Sequence, residues 1–314
     1  MIEIRRILCP TDFSDFSRRA LDYAVAIARW YESTITVLHV FSTAPVAASA
    51  PGATDHEPIV LTCADRDQML AEMHRFIAVN SAQRIPVEAM IREGSAASEI
   101  LNQAIALSAD LLVIGTHGRS GFERLLLGSV TEEVLRKAAC PVLSVPPRLP
   151  DAGPATPVVF KGILCPVDFS VCSMHALTYA MSLAQEADAH LTVLNVMTSE
   201  LEDDTPGVSA PVITDADLSL ADARRQREES IRERLKDVVP DKVATYCSVE
   251  TIVSHGKPGP EILRIAAAQQ SDLIVLGVSG HSAVDLMFLG STTQTVVRQA
   301  TCPVLTLGPD SLPA

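Results

Sequence analysis

At 314 residues, with 47% hydrophobic and 20% charged residues, the chain is about twice the usual domain length and too apolar for a disordered polymer, so two globular domains are expected. No run approaches the roughly 18 uninterrupted apolar residues that a membrane span needs, so no membrane partner is expected. The net charge of −13 is spread over both halves, 14 Lys and Arg against 17 Asp and Glu in residues 1–150 and 11 against 21 in residues 151–314; with 4% aromatics, this argues against a nucleic-acid partner, which calls for a basic field and often for stacking platforms.

The first ten residues, MIEIRRILCP, place Glu3, Arg5 and Arg6 directly before an apolar run, leaving no room for a secretory apolar segment; a cytoplasmic protein is expected. Arg6–Pro10 reads as a buried strand, and Ser17–Trp30 carries Leu21, Ala24, Val25 and Ala28 at helical spacing behind a serine cap. Thr34–Val40 is the second strand. A helix over about Asp65–Ala82, a strand at Val87–Arg92, a helix at Ala96–Leu107, a strand at Leu111–Gly115, a helix at Val130–Ala138 and a strand at Val142–Val145 follow.

The pattern is then written a second time. ILCPTDFS at Ile7–Ser14 returns as ILCPVDFS at Ile163–Ser170, and VLHV at Val37–Val40 as VLNV at Val193–Val196, both displaced by 156. Gly94, Gly115, Gly128 and Cys140-Pro141 return as Gly256, Gly277, Gly290 and Cys302-Pro303 at a displacement of 162, so six residues are inserted after the second strand of the second copy. Between the copies, Pro146–Pro157 holds five prolines and one glycine without apolar periodicity, which describes an exposed, semi-rigid linker. The expected division is 1–147, a linker at 148–157, and 158–314.

Continuous apolar strands alternating with helices imply an α/β fold with a doubly wound parallel sheet in each copy, whose ligand site lies outside the strand carboxyl ends where strand order reverses. The fourth strand runs into Gly115-Thr-His-Gly118, nine residues, then Gly128-Ser129 and a helix; the second copy has Gly277-Val-Ser-Gly280, nine residues, then Gly290-Ser291. A glycine turn lets backbone approach an anion, and a helix start offers N–H groups, a hydroxyl and the positive end of the dipole. A lone Gly-x-x-Gly is usually a packing device, but the long spacing occurs twice and at the expected switch point. Walker A and dinucleotide glycine patterns are both missing after the first strand, which ends in Cys-Pro-Thr-Asp or Cys-Pro-Val-Asp.

These residues resemble the ATP-binding branch of the universal stress proteins: Pro-x-Asp-Phe-Ser after the first strand, Leu-x-Val ending the second, and Gly-x2-Gly-x9-Gly-Ser after the fourth. The resemblance implies two tandem five-stranded sheets of order 3-2-1-4-5, of the adenine nucleotide α-hydrolase-like kind, whose fifth strands pair as an intramolecular pseudo-dimer; a further homodimer and a protein partner of unspecified identity are compatible with it. It implies ATP, with or without Mg, as ligand. Adenine and ribose would lie near Pro10, Thr11, Asp12 and Val40, or Pro166, Val167, Asp168 and Val196. Phosphates would lie near Gly115, Gly118, Gly128, Ser129 and Val130, or Gly277, Gly280, Gly290, Ser291 and Thr292. Arg119 and His281 occupy matching loop positions and are candidates to add charge there.

Asp12 and Asp168 also suit a capping role after a strand. Thr11 becomes Val167, losing a hydroxyl beside the second Asp, and Val130 becomes Thr292, gaining one. His117 is matched by Ser279, so chemistry common to both copies cannot require it, and His39, on an apolar strand, reads as a satisfied core histidine. The seven cysteines are an odd number without a Cys-x-x-Cys pair, which fits packed, reduced thiols, with no structural metal and no disulfide frame. Because the shared residues of the loops include no lysine and no nucleophile-base pair, no catalytic residue is assigned. At most slow ATP hydrolysis is expected, a nucleotide-using enzyme of the same fold being the alternative.

Overall fold

The computed structural model describes residues 2–41, 63–78, 85–118, 127–147, 158–198, 215–278 and 289–308. In the first half, β1 (Arg6–Pro10), α1 (Asp15–Tyr31), β2 (Thr34–Phe41), α2 (Cys63–Ala78), β3 (Val87–Glu93), α3 (Ala96–Ala106), β4 (Leu111–Gly115), α4 (Ser129–Lys137) and β5 (Val142–Val145) alternate throughout. The second half repeats them as β6 (Gly162–Pro166), α5 (Val171–Ala187), β7 (His190–Met197), α6 (Asp215–Asp237), α7 (Asp241–Tyr246), β8 (Val249–His255), α8 (Pro258–Ala268), β9 (Leu273–Gly277), α9 (Ser291–Gln299) and β10 (Val304–Leu307). The short α7 was not read from the sequence. The expected proline-rich linker, 148–157, lies outside the described residues, as does the 79–82 end of the helix expected over 65–82.

All ten strands form one sheet in the order β3-β2-β1-β4-β5-β10-β9-β6-β7-β8. Within each half the pairs are parallel, with β1 between β2 and β4 and β6 between β7 and β9. The halves join antiparallel, Leu305 opposite Leu143 and Val304 opposite Ser144. Two fully buried hydroxyls tie this seam, Ser144 Oγ donating to the Val304 carbonyl (3.1 Å) and Thr306 Oγ1 to the Val142 carbonyl (3.2 Å). The edges that five-stranded halves would otherwise expose are thereby paired.

Alternation along the strands feeds two cores. Ile7 and Cys9 pack with α1, while Leu8 packs with α3 and α4 on the opposite face, and Ile163, Cys165 and Leu164 do the same in the second half. The first core also crosses the seam: Phe160, entirely buried, sits against Tyr23 and Trp30 of α1 (ring centroids 5.9 and 5.5 Å), and Tyr31 Oη lies 3.1 Å from Ser182 Oγ of α5. On the other face, Arg298 of α9 reaches Glu132 of α4 at 3.4 Å.

Candidate functional site

Each half has a cavity at the carboxyl ends of its central strands, where the neighbours of β1, or of β6, leave in opposite directions. Every candidate residue within the described parts lines one of them. Pro10, Thr11, Asp12, Val40, Gly115, Gly118, Gly128, Ser129 and Val130 line a cavity of about 190 Å³, and Pro166, Val167, Asp168, Val196, Gly277, Gly290, Ser291 and Thr292 line one of about 530 Å³. Arg119, Gly280 and His281 lie outside the described residues.

The loop after β1 is built around its aspartate. Oδ1 of Asp12 accepts from the backbone N–H (3.0 Å) and the hydroxyl (2.5 Å) of Ser14, and the Ser14 hydroxyl accepts in turn from Ser17 N–H, capping α1. The Asp therefore holds the cap from two residues away instead of being the cap. Asp168 and Ser170 repeat the arrangement at 3.0 and 2.5 Å ahead of α5. The turn drives the intervening Phe13 and Phe169 to φ of 64° and 63°, a left-handed conformation that costs a bulky residue about 1–2 kcal/mol. Their rings are held from outside, Phe13 by His39 (4.5 Å) and Phe76 (5.8 Å), Phe169 by the Arg234 guanidinium 3.9 Å above it. Oδ2 of Asp12 points toward Gly118, 3.0 Å from where a Cβ would stand.

Two sequence differences between the halves take on another meaning. The Thr11 hydroxyl is buried and bonded to Ser17 Oγ (3.0 Å) and Phe13 N–H (3.1 Å), so its loss at Val167 removes an internal tie of the loop. In the second half Ser173 Oγ accepts from Asp168 N–H instead (3.3 Å). His39, half-buried at the end of β2, has its Nδ1 2.8 Å from the Thr11 carbonyl, and Asn195 makes the same tie to Val167 at 2.7 Å. His39 is thus a satisfied histidine that also lines the cavity.

The glycines divide by role. A Cβ on Gly115 would lie 3.2 Å from the Phe16 carbonyl oxygen, and one on Gly277 2.8 Å from Cys172 backbone and side-chain carbons, so these two let α1 and α5 sit against the strand ends. Gly128 and Gly290 fold back onto the preceding strand exit: their N–H groups donate to Thr116 and Val278 carbonyls (2.9 and 3.1 Å), and a Cβ would meet those same oxygens at 3.2 and 2.9 Å. The missing side chain faces protein, and the cavity is met by the helix start itself. Neither α4 nor α9 has a side-chain cap, while Ser129 and Ser291 are exposed in the first turn, where N–H groups have no partner within a helix. Thr131 and Thr293 pin each helix to the strand by donating to the Gly115 and Gly277 carbonyls (2.8 and 3.1 Å).

Sequence reading missed the apolar wall. Ile100 on α3 and Ile262 on α8, with Ala96 and Pro258 one turn earlier, close the side of each cavity, and Leu38 and Leu194 its floor. Ala96 and Ile100 are four apart on one helix face, but only the packing of α3 against β2 shows that this face closes a cavity. Asp12 and Asp168 are the sole acidic residues among the described lining, and no lysine or arginine accompanies them there. Cys9, Cys140, Cys165, Cys172 and Cys247 are buried thiols and Cys302 is partly buried; desolvation pushes Cys9, Cys140 and Cys302 up to about 12 and Cys165 higher still, so these four stay protonated. Among the described residues there is no cluster of three or more potential metal ligands, and no helix long and apolar enough to cross a membrane.

A parallel α/β sheet that alternates strand and helix, built twice in one chain with an acid-bearing loop facing an uncapped helix start, defines a tandem protein of the adenine nucleotide α-hydrolase-like fold. The chain belongs to the universal stress protein family: the model of that family matches residues 3–146 and again residues 160–307. A universal stress protein of Mycolicibacterium smegmatis is 27% identical over 307 residues, covering 96% of this chain and 97% of that one. The universal stress protein MJ0531 of Methanocaldococcus jannaschii is 35% identical over 141 residues, 45% of this chain and 81% of its own. The crystal structure of a universal stress protein from Archaeoglobus fulgidus superimposes with a TM-score of 0.65 at 25% identity, covering 98% of this chain and 99% of that one. Family membership supports a stress-response role.

Proposed function

We propose that the protein binds adenine nucleotide, ATP in the first instance, in its two cavities and acts by occupancy instead of turnover, as a stress-response or signalling module. The observation that carries this reading is the juxtaposition of Asp168 with the uncapped start of α9 across a cavity of about 530 Å³, within the size range of small-molecule sites, and its repetition around Asp12 and α4. A carboxylate at a strand end accepts ribose hydroxyls in other nucleotide folds, apolar walls such as Leu194 and Ile262 suit a base, and free first-turn N–H groups with a serine hydroxyl suit phosphate. If magnesium accompanies the nucleotide, its ligands come mainly from the phosphates, because the described lining offers one carboxylate per cavity.

Binding without turnover follows from what the lining supplies. Fast phosphoryl transfer needs cations aimed at developing charge and a group that orients the nucleophile. The features common to both cavities are backbone N–H groups, hydroxyls and one carboxylate, which hold a ground state. The other reading, a slow ATPase or another nucleotide-using enzyme, rests on fold analogy alone.

The test is to denature the purified protein, identify released small molecules by mass spectrometry, and titrate the emptied protein with ATP while following phosphate release. Released or rebound adenine nucleotide with negligible turnover supports the reading. Turnover near the roughly 10 per second typical of enzymes would replace it with the enzymatic one.

A further inference from the structure

The two halves carry the same aspartate turn but brace it differently. In each, the residue after the aspartate stands in a left-handed conformation, φ 64° at Phe13 and 63° at Phe169, which a bulky side chain keeps only when its surroundings hold it. Phe13 is held by two rings, His39 of β2 at 4.5 Å and Phe76 of α2 at 5.8 Å. In the second half the position of His39 is taken by Asn195, which offers no ring, and the Arg234 guanidinium stands 3.9 Å from the Phe169 ring centroid. This is a cation–π contact, made by a residue that is itself exposed on α6.

Among the described side chains of α6, Leu235 alone is fully buried; Ile231 is half-buried against the core, and Glu228 stands 3.6 Å from His255 at the end of β8. Arg234, next to Leu235, carries the helix to the turn after β6. Neither Arg234 nor Phe169 lines the C-terminal cavity, whereas Asp168, one residue before Phe169, does.

We propose that Arg234 is a positioning residue for the C-terminal site: it holds Phe169, Phe169 sets the turn that presents Asp168 to the cavity, and occupancy of the cavity is thereby coupled to the seating of α6. The inference rests on the nucleotide-binding reading given above and adds that one of the two sites reports to a surface helix.

The chain of contacts is short. Oδ1 of Asp168 accepts from the N–H (3.0 Å) and the hydroxyl (2.5 Å) of Ser170, so the carboxylate, the Phe169 backbone and the cap of α5 move as a unit. Were Phe169 to leave the left-handed region, the Ser170 N–H would turn away from Oδ1 and the carboxylate would no longer be fixed against the cavity. Arg234 therefore acts on ligand through one ring and one backbone turn, with no contact of its own. The coupling is reciprocal: if the seated helix favours the ligand-ready turn, ligand favours the seated helix to the same degree. The first half has rings where the second has this cation, so its site is built without the device.

The experiment uses the full chain in two backgrounds, Asp12→Ala to report the C-terminal site and Asp168→Ala to report the N-terminal one, each titrated calorimetrically with ATP and with adenosine. Arg234→Ala should weaken both ligands at the C-terminal site by the same factor, roughly two- to fivefold for an exposed cation–π contact, and leave the N-terminal site unchanged. Arg234→Lys, which keeps a cation over the ring, should recover part of the loss, and in a chain already carrying Phe169→Leu the change Arg234→Ala should have no further effect. Hydrogen exchange read by mass spectrometry follows the helix directly: ATP should slow exchange of the amides of residues 228–237 in the unsubstituted chain, and do so less in Arg234→Ala. A loss for ATP but not for adenosine would make Arg234 a long-range attractor of phosphate, and a loss that survives Phe169→Leu or falls equally on both sites would make it a general stability effect. Each of these overturns the inference while leaving nucleotide binding in place, as does exchange in α6 that is indifferent to ATP. An unsubstituted chain that binds neither ligand removes the nucleotide reading, and this inference with it.

Discussion

Asp12 is asked to do two things, and a pair of substitutions separates them. Its Oδ1 accepts both the N–H and the hydroxyl of Ser14, while Oδ2 faces the Gly118 turn. Asp12→Ala removes both bonds to Ser14 and loosens the serine that caps α1. For a half-buried, charge-assisted pair this is worth about 1–2 kcal/mol, or roughly 2–8 °C in the melting temperature of a domain of this size. Asp12→Asn keeps an amide oxygen where Oδ1 stands, so the turn and the cap survive, but it removes the charge and replaces the second acceptor with a donor. In the nucleotide-free protein the asparagine variant should melt within a degree or two of the parent, and the alanine variant clearly below it. In ATP titrations both should lose on the order of 1.5–3 kcal/mol at the N-terminal site, the expected value of hydrogen bonds to an ionised acceptor. Differential scanning fluorimetry and calorimetric titration on the same preparations supply both readings. If the asparagine variant binds ATP like the parent, the carboxylate does not touch ligand and Asp12 is a cap-holding residue only.

Three other outcomes follow from the geometry. Leu143→Asp places a charge opposite Leu305 in the buried seam and should lower the urea midpoint by an amount equivalent to at least about 3 kcal/mol; a loss under about 1 kcal/mol would mean that the seam opens in solution. Gly290→Ala should destabilise the empty protein more than Gly128→Ala, because the new methyl meets a backbone oxygen at 2.9 Å in one and 3.2 Å in the other; equal melting temperatures would refute a steric origin. Burial holds the imidazole of His175 on α5 below its ordinary value, so the folded chain binds fewer protons there than the unfolded one. Stability from this group is complete above the ordinary imidazole range and declines as pH falls through it, and His175→Phe should flatten the melting-temperature profile between about pH 7 and pH 5.

The fold was legible because both its signals are local. Buried strands such as Leu111–Gly115 are short continuous apolar runs, and the repeat displacement of 156 places β6 and β7 once β1 and β2 are known. Helix starts were less legible. The periodicity of α1 begins at Ser17, yet the helix starts at Asp15, because the turn made by Asp12 and Ser14 is set by side-chain hydrogen bonds that leave no apolar pattern. For α7 the obstacle was length: six residues hold too few apolar positions to show a period.

The site was legible as positions but not as roles, and the two halves show why. Thr11 with Ser17 and Val167 with Ser173 are chemically unlike pairs that hold the same loop, one by a hydroxyl pair and the other by a backbone N–H reaching a hydroxyl. His39 and Asn195 are an imidazole and an amide, yet each ties the end of the second strand to the carbonyl before the aspartate. A residue difference between copies therefore marks a functional difference only where the side chain has no tie of its own to make. By that criterion the Thr11 hydroxyl, bonded to Ser17 Oγ and Phe13 N–H, marks a difference in how the loop is held. At His117, whose Nδ1 is 2.9 Å from Thr116 Oγ1 and whose ring lies 5.8 Å from that of Phe16, the second half has a serine, Ser279. Whatever separates the two halves in ligand preference should therefore not follow the loops that carry Asp12 and Asp168, which reach the same frame by different bonds.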